Sequence, residues 1–269
     1  MLAVIKGAGD LASGVAVRLQ RAGVRLVMTE IAKPTAIRRT VSFCRAVWEQ
    51  TATVEDVTAR LAADAADALT ITRAGDIAVL VDPNADCVQA LRPDAVIDAM
   101  LMKRNLNTSI HDAQAVIALG PGFTAGGDCH AVVETMRGHD LGRVLLAGAA
   151  APNTGVPGVI GGFAQERILR APADGVWQTA LSIGDRVEAG DTVAHVAGEP
   201  VRTQLGGVVR GLLPDGTPVT RGMKSGDVDP RGIAEYCATV SDKARAIGGG
   251  VLEALLMLTG GIRYGNETL

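Results

Sequence analysis

The sequence Ile5-Lys6-Gly7-Ala8-Gly9-Asp10-Leu11-Ala12-Ser13-Gly14 carries a short apolar run, Ala3-Val4-Ile5, into a glycine turn that fits G-x-G-x-x-G/A. Short apolar runs of this kind form buried parallel strands. From Ser13 to Arg21 the apolar residues Val15, Ala16 and Leu19 recur at helical spacing, and Gly23 then stops the helix. Val24 to Met28 make a second strand that ends at Glu30. Glycines let a backbone approach a phosphate, and a helix N-terminus offers free N–H groups to it. Glu30 lies 23 residues after Gly7, where a carboxylate can accept from a ribose hydroxyl. The plainer reading is a glycine turn that only packs strand against helix.

Working outward, Arg38-Arg39 reads either as a phosphate partner or as a solvated helix face, and Val54 to Ala66 as helix. Apolar runs resume at Ile77–Val81, Ala95–Ile97, Ala115–Leu119 and 144–146, so the first part of the chain predicts one α/β sheet. Ligands of such sheets sit at the carboxyl ends of strands. Asp98 follows one of these ends. Gly120-Pro121-Gly122-Phe123-Thr124-Ala125-Gly126-Gly127-Asp128-Cys129-His130 follows another, resembling a loop that wraps an anion and opens a helix at Asp128. The candidate ligand-binding set is therefore Gly7, Gly9, Asp10, Ser13, Glu30, Arg38, Arg39, Gly120, Gly122, Thr124, Gly126 and Asp128. Catalytic candidates are Cys129, His130 and Asp98. A helix N-terminus would lower the Cys129 thiol pKa, but a small buried cysteine is the commoner case. His130 and His139 lack a third ligand at diagnostic spacing, so no metal site is expected.

From about Arg170 the sequence matches itself at an offset of 32 residues: Gly175-Val176 falls on Gly207-Val208, Gly184 on Gly216, Val187 on Val219 and Gly190 on Gly222. Such a repeat indicates two hairpin-rich halves around one core. The pattern resembles the barrel-sandwich hybrid of biotinyl and lipoyl carrier domains. The hairpin that carries their modified lysine corresponds here to Val196-Ala-Gly-Glu-Pro-Val-Arg202, which has no lysine, so neither biotin nor lipoate is expected. The polar stretch Asp227-Val228-Asp229-Pro230-Arg231-Gly232 reads as a loop. Gly248-Gly249-Gly250 precedes an apolar helix over Val251–Leu258, and close packing is the simpler use for its glycines.

These motifs, with Met28-Thr29-Glu30, Arg38-Arg39-Thr40-Val41-Ser42-Phe43, Glu134-Thr135-Met136-Arg137-Gly138-His139 and Asp242-Lys243-Ala244-Arg245-Ala246-Ile247-Gly248, resemble the selenium-dependent molybdenum hydroxylase accessory family, YqeB, over nearly the whole chain. It is distantly like the XdhC-type Rossmann accessory proteins. The resemblance implies a maturation factor that handles molybdopterin or its dinucleotide form and aids its insertion into a molybdenum hydroxylase apoprotein. It supplies no catalytic residues, and whether any reaction is catalysed stays open. The alternatives are an NAD(P)-dependent oxidoreductase and a sulfur- or selenium-transfer protein using Cys129.

The expected fold is α/β: a Rossmann-like parallel-sheet domain over 1–165, a small all-β barrel-sandwich-hybrid domain over 166–232, and a C-terminal helical segment over 233–269. Across 269 residues, 48% are hydrophobic and 20% charged, as in a globular protein. A net charge of −3 shows no basic footprint for nucleic acid. No apolar run reaches the ~18 residues of a membrane span, and the N-terminus shows no signal-peptide pattern. The cysteines Cys44, Cys87, Cys129 and Cys237 form no C-x-x-C pair, which fits a reducing, cytoplasmic setting. The expected partners are the hydroxylase apoprotein and a phosphate-bearing small molecule, with no nucleic acid, no membrane, and self-association left open.

Overall fold

A computed structural model describes residues 1–261; residues 262–269, the end of the predicted C-terminal segment, lie outside the described residues. The chain forms two compact units. The first comprises 1–34, 42–153 and the stretch that begins at Val240; the second comprises 35–41 and 154–239. These bounds differ from the sequence expectation. The second unit starts nearer Thr154 than 166 and takes up 35–41, and the C-terminal helix is part of the first unit.

The first unit is mixed α/β. Its strands are β1 (Leu2–Lys6), β2 (Arg25–Glu30), β3 (Thr51–Val54), β4 (Val57–Leu61), β5 (Ile77–Val81), β6 (Ala95–Asp98), β7 (Ala115–Leu119), β8 (Ala131–Val133) and β9 (Val144–Leu145). They form one sheet in the order β3-β4-β5-β2-β1-β6-β7-β8-β9. The pairs from β4 to β8 are parallel, and β3 and β9 close the edges antiparallel. Its helices are α1 (Asp10–Arg21), α2 (Ala46–Glu49), α3 (Ala65–Arg73), α4 (Cys87–Leu91) and α5 (Asp242–Thr259). The central strands are apolar on both faces, as parallel strands covered on both sides must be. Val4, Val27, Val96 and Val116 pack in a cluster with Ala68, Cys87 and Val88 of α3 and α4.

The expected helix over Val54–Ala66 does not form. Thr51–Leu61 is instead the β3–β4 hairpin, turning at Glu55, whose φ is +55°. Alternating residues Ala52, Val54, Val57 and Ala59 are buried, a period of two that fits strand and not helix. The triple glycine lies inside α5, which runs unbroken from its cap at Ser241. A Cβ on Gly14 of α1 would stand 2.5 Å from the Ala244 Cβ, and one on Gly250 would stand 2.1 Å from the Gly142 carbonyl oxygen. Small residues here let α5 lie directly on its neighbours.

The second unit contains β10 (Ile168–Arg170), β11 (Gly175–Trp177), β12 (Arg186–Val187), β13 (Thr192–Val196), β14 (Glu199–Arg202), β15 (Gly207–Leu212), β16 (Thr217–Val219) and β17 (Lys224–Asp229). The sequence repeat reappears in its hydrogen bonds. Gly175 pairs with Val219, and Val187 with Gly207, which is the same pairing with the two repeats exchanged. Likewise the Gly216 N–H donates to the Trp177 carbonyl and the Gly184 N–H to that of Val209, both at 2.8 Å. The Gly222 N–H reaches the Ala171 carbonyl and the Gly190 N–H that of Thr203, again both at 2.8 Å. Each half lends a strand to the other around a shared core of Trp177, Val187, Val209, Leu212 and Val219.

Of the stretch 227–232 only 230–232 is the loop its polarity suggests; Asp227 and Asp229 are buried in β17. Asp227 accepts from Arg167 at 2.5 Å and from Arg210 Nε at 3.0 Å. Asp229 accepts from Arg210 at 3.1 Å and from Arg231 at 2.6 Å. The Arg231 guanidinium also stacks 4.4 Å over the Tyr236 ring. Burial works to raise the Asp229 pKa, but Arg231 and Arg210 outweigh it and hold the carboxyl below its ordinary value. Breaking a buried pair leaves an uncompensated charge, so Asp227→Ala should lower unfolding free energy by ~3–5 kcal/mol in urea titrations. A loss below ~1 kcal/mol, the ordinary worth of a surface pair, would show that the network contributes little.

Candidate functional site

The sheet changes its direction of growth at β1, whose neighbours are β2 on one side and β6 on the other. Such a switch point leaves a crevice at the carboxyl ends of the strands. A register row Thr29–Lys6–Asp98–Ala118 crosses β2, β1, β6 and β7 there. It brings Gly7, Glu30, Asp98 and Gly120 to one edge.

Gly7 takes φ +95°, and Gly9 caps α1 with no side-chain hydrogen bond to the helix. The helix therefore opens on backbone N–H groups, with the half-buried Asp10 in its first turn. Ser13 is fully buried: its hydroxyl donates to the Ala8 carbonyl and accepts from the Phe43 N–H at 2.8 Å. It shapes the turn from behind. The Glu30 carboxylate folds back onto the turn, accepting from the Ala8 N–H at 3.2 Å and the Ile31 N–H at 2.8 Å. Burial raises its pKa, and the two N–H groups only partly offset this.

Asp98 is 1% exposed and accepts from the Thr108 hydroxyl at 2.6 Å and the Met100 N–H at 3.2 Å. Lys6, its register partner and 2% exposed, donates to the Asn107 carbonyl, the Thr108 hydroxyl and Asp112 at 3.0–3.2 Å. Lys6, Thr108 and Asp112 escaped the sequence reading. The available signal was a lysine at the end of an otherwise apolar strand, which must find acceptors when buried.

The glycine loop after β7 folds differently from expectation. Asp128 opens no helix; its carboxylate accepts from the Thr124 N–H at 2.7 Å and from Asn105 at 3.2 Å, closing the loop on itself. Gly126 adds a 2.8 Å bond from its N–H to the Cys129 carbonyl. A Cβ on Gly122 would stand 2.5 Å from the Lys103–Arg104 peptide, and one on Gly120 would meet the Thr135 hydroxyl oxygen. These two glycines admit protein atoms. His130 lies beside the start of β7, where its ring accepts from the Val116 N–H at 3.0 Å. Cys129 is buried, and burial with the nearby Asp128 charge pushes its thiol up to about 11. The helix expected to lower it is absent.

Arg38 and Arg39 belong to the second unit, where they donate to the carbonyls of Tyr236 and Leu212 at 3.0 and 2.8 Å. Arg38 is buried, and Arg39 is half-buried at the start of a single 3-10 turn, Arg39–Val41. Among the described residues, no cluster of three or more His, Cys, Asp or Glu could hold a metal ion, and no helix is long and apolar enough to cross a membrane.

Burial raises the Asp98 pKa against the opposing pull of Thr108, Met100 and Lys6. The folded state therefore binds this proton at a higher pH than the unfolded chain. The ionised carboxylate costs stability at neutral pH, and that cost is relieved as pH falls through the folded pKa. In urea unfolding at pH 7, 6 and 5, the stability of wild type relative to Asp98→Asn should rise as pH falls. A pH-independent difference would contradict the assignment.

No protein-family model matches the chain. Among solved structures it is similar to an aspartoacylase family protein from Mesorhizobium loti (12% identity, 84% of each chain, TM-score 0.29). It is also similar to a succinylglutamate desuccinylase/aspartoacylase from Rhodobacter sphaeroides (11% identity, 84% of each chain, TM-score 0.27). Similarity at that level transfers neither fold nor site. Uncharacterized protein YqeB of Escherichia coli strain K12 is 54% identical over 257 residues. The match takes in 96% of this chain and 48% of that protein, so the chain spans about half the length of its curated relative, which bears the name of the family the motifs resemble.

Proposed function

We propose that the chain is an accessory protein for maturing a selenium-dependent molybdenum hydroxylase. It holds a phosphate-bearing cofactor, molybdopterin or its dinucleotide form, and aids its insertion into the hydroxylase apoprotein. In this reading the first unit is a Rossmann-like binding domain, and the second a barrel-sandwich hybrid without a carrier lysine. One observation carries it: α1 opens without a side-chain cap, directly after the Gly7 turn, at the switch point of a parallel sheet. That arrangement suits a phosphate.

The residues present fit one phosphate group. The N–H groups of the first turn of α1 would receive it, while the Glu30 carboxylate opposes a second negative charge beside Ala8. The cofactor's redox chemistry belongs to the client enzyme. Here the chain's own residues bind and orient. The second reading, an NAD(P)-dependent oxidoreductase, draws on Glu30, an acceptor at the end of β2 where a ribose hydroxyl would lie. Sulfur or selenium transfer through Cys129 gains no support from a thiol that stays protonated at neutral pH.

Native mass spectrometry of protein from a host that makes molybdopterin should show a retained pterin or pterin dinucleotide. Leu11→Glu, which sets a carboxylate in the first turn of α1, should weaken its binding at least tenfold without lowering the melting temperature by more than a few degrees. Glu30→Gln separates the two readings. It should tighten a ligand held by phosphate alone and weaken NAD(H) held through its ribose. Retained NAD(H) with no pterin would overturn the proposal.

A further inference from the structure

At the far end of α1 from the glycine turn, α1 and α5 flank a cleft of about 360 Å³. Val17, Val240 and Leu252 give it an apolar lining, and three arginines, Arg18, Arg21 and Arg245, line it as well. Its lining runs along α1 from Gly14 to Ala22, and Arg18, nine residues past the capping Gly9, lies about 13 Å from it at ~1.5 Å rise, away from the glycine turn.

Two of the arginines already hold carboxylates. Arg21 donates to Glu55 at 2.8 Å and also pairs with Asp56. Arg245 donates to Glu55 at 2.5 Å, and the Val240 N–H completes that seat at 3.1 Å. Both acids come from the tip of the β3–β4 hairpin. Arg18 and Arg21 suit the last turn of α1, where cations complement the helix dipole. Arg245 stands in the first turn of α5, where the dipole opposes it, so helix stability alone does not account for it. Counting the groups, three guanidiniums face two carboxylates, and the exposed Arg18 carries the uncompensated charge.

We infer that this cleft binds a small organic monocarboxylate, its carboxylate on Arg18 and its apolar body on Val17, Val240 and Leu252. One uncompensated positive charge matches a monoanion better than a phosphate dianion. The apolar lining calls for a ligand with a hydrocarbon part, and a few hundred Å³ is the size of small-molecule sites. A guanidinium fork also matches a carboxylate in geometry. The inference does not depend on what occupies the glycine turn.

Isothermal titration calorimetry of the full chain with hexanoate tests it, with hexan-1-ol and inorganic phosphate as comparison probes. Hexanoate should bind saturably with one site, and each comparison probe at least tenfold more weakly. Arg18→Gln, at an exposed position, should weaken hexanoate at least tenfold while lowering the melting temperature by no more than a few degrees. Leu252→Trp, which fills the cleft, should abolish the binding. The inference is overturned if hexan-1-ol or phosphate binds as well as hexanoate, if Arg18→Gln leaves the affinity unchanged, or if no saturable heat appears. Leu11→Glu should leave hexanoate binding intact, so failure of the cofactor reading and failure of this one are distinguishable.

Discussion

A lysine buried at the end of the central strand organises the switch-point edge of the first unit. Taking an ammonium out of water costs several kcal/mol unless it is paired and fully hydrogen-bonded. Lys6 meets that demand with one carbonyl, one hydroxyl and one carboxylate, all from residues 107–112. Asp98, its neighbour on β6, shares the Thr108 hydroxyl. The segment after β6 must therefore turn back over the strand ends, and Leu101 and Lys103 adopt positive φ within it. The same segment lies against Gly7 through Ala99 and against Gly122 through Lys103 and Arg104. A side chain on Gly122 would push it off, and one on Gly7 would crowd it. The glycines of this edge thus serve two purposes: Gly7 turns the chain into α1, and both allow the strap required by Lys6 to close.

The second unit meets a similar demand with symmetry. Its two halves exchange strands, so Trp177, Val187 and Val196 have core counterparts in Val209, Val219 and Val228 and the hydrophobic centre is shared. The two buried aspartates of β17 have no such counterpart. They are held by Arg167, Arg210 and Arg231, and Arg167 also reaches the Gly158 carbonyl at 3.0 Å. An apolar repeat sets the scaffold here, and an ionic network tethers the segments that lie outside it.

What could be read in advance follows from the range of the forces involved. The β1–turn–α1–β2 unit was legible because its glycines, helical period and strand runs are local. The strand-sharing repeat was legible because sequence self-similarity reports it directly. The β3–β4 hairpin was hidden by Thr, Ala and Asp, which mark no period strongly in either sense. No local rule forbids a helix at Asp128. The alternative prevailed because His130 bonds to both backbone groups of Val116 and draws the chain into β8. The partition of the chain was the least legible feature. Assigning α5 to the first unit depends on Gly14, Ala244 and Gly250 meeting partners more than a hundred residues away in sequence. For the candidate site, spacing places Gly7, Gly9 and Glu30 around one turn, whereas the backbone carbonyls that Arg38 and Arg39 meet lie at residues 236 and 212, beyond the reach of any local pattern.

The side chain of Glu30 bears most directly on the chemistry of the glycine turn. A carboxylate that accepts from Ala8 uses the N–H that a phosphate bound deep in the turn would otherwise take, and it sets a negative charge beside it. Its raised pKa shows that burial already disfavours that charge. A ligand with a single phosphate on the first turn of α1 leaves this arrangement intact. A pyrophosphate reaching Ala8 must displace Glu30 or protonate it. The turn is thus better matched to a phosphate monoester than to a pyrophosphate seated across the glycines.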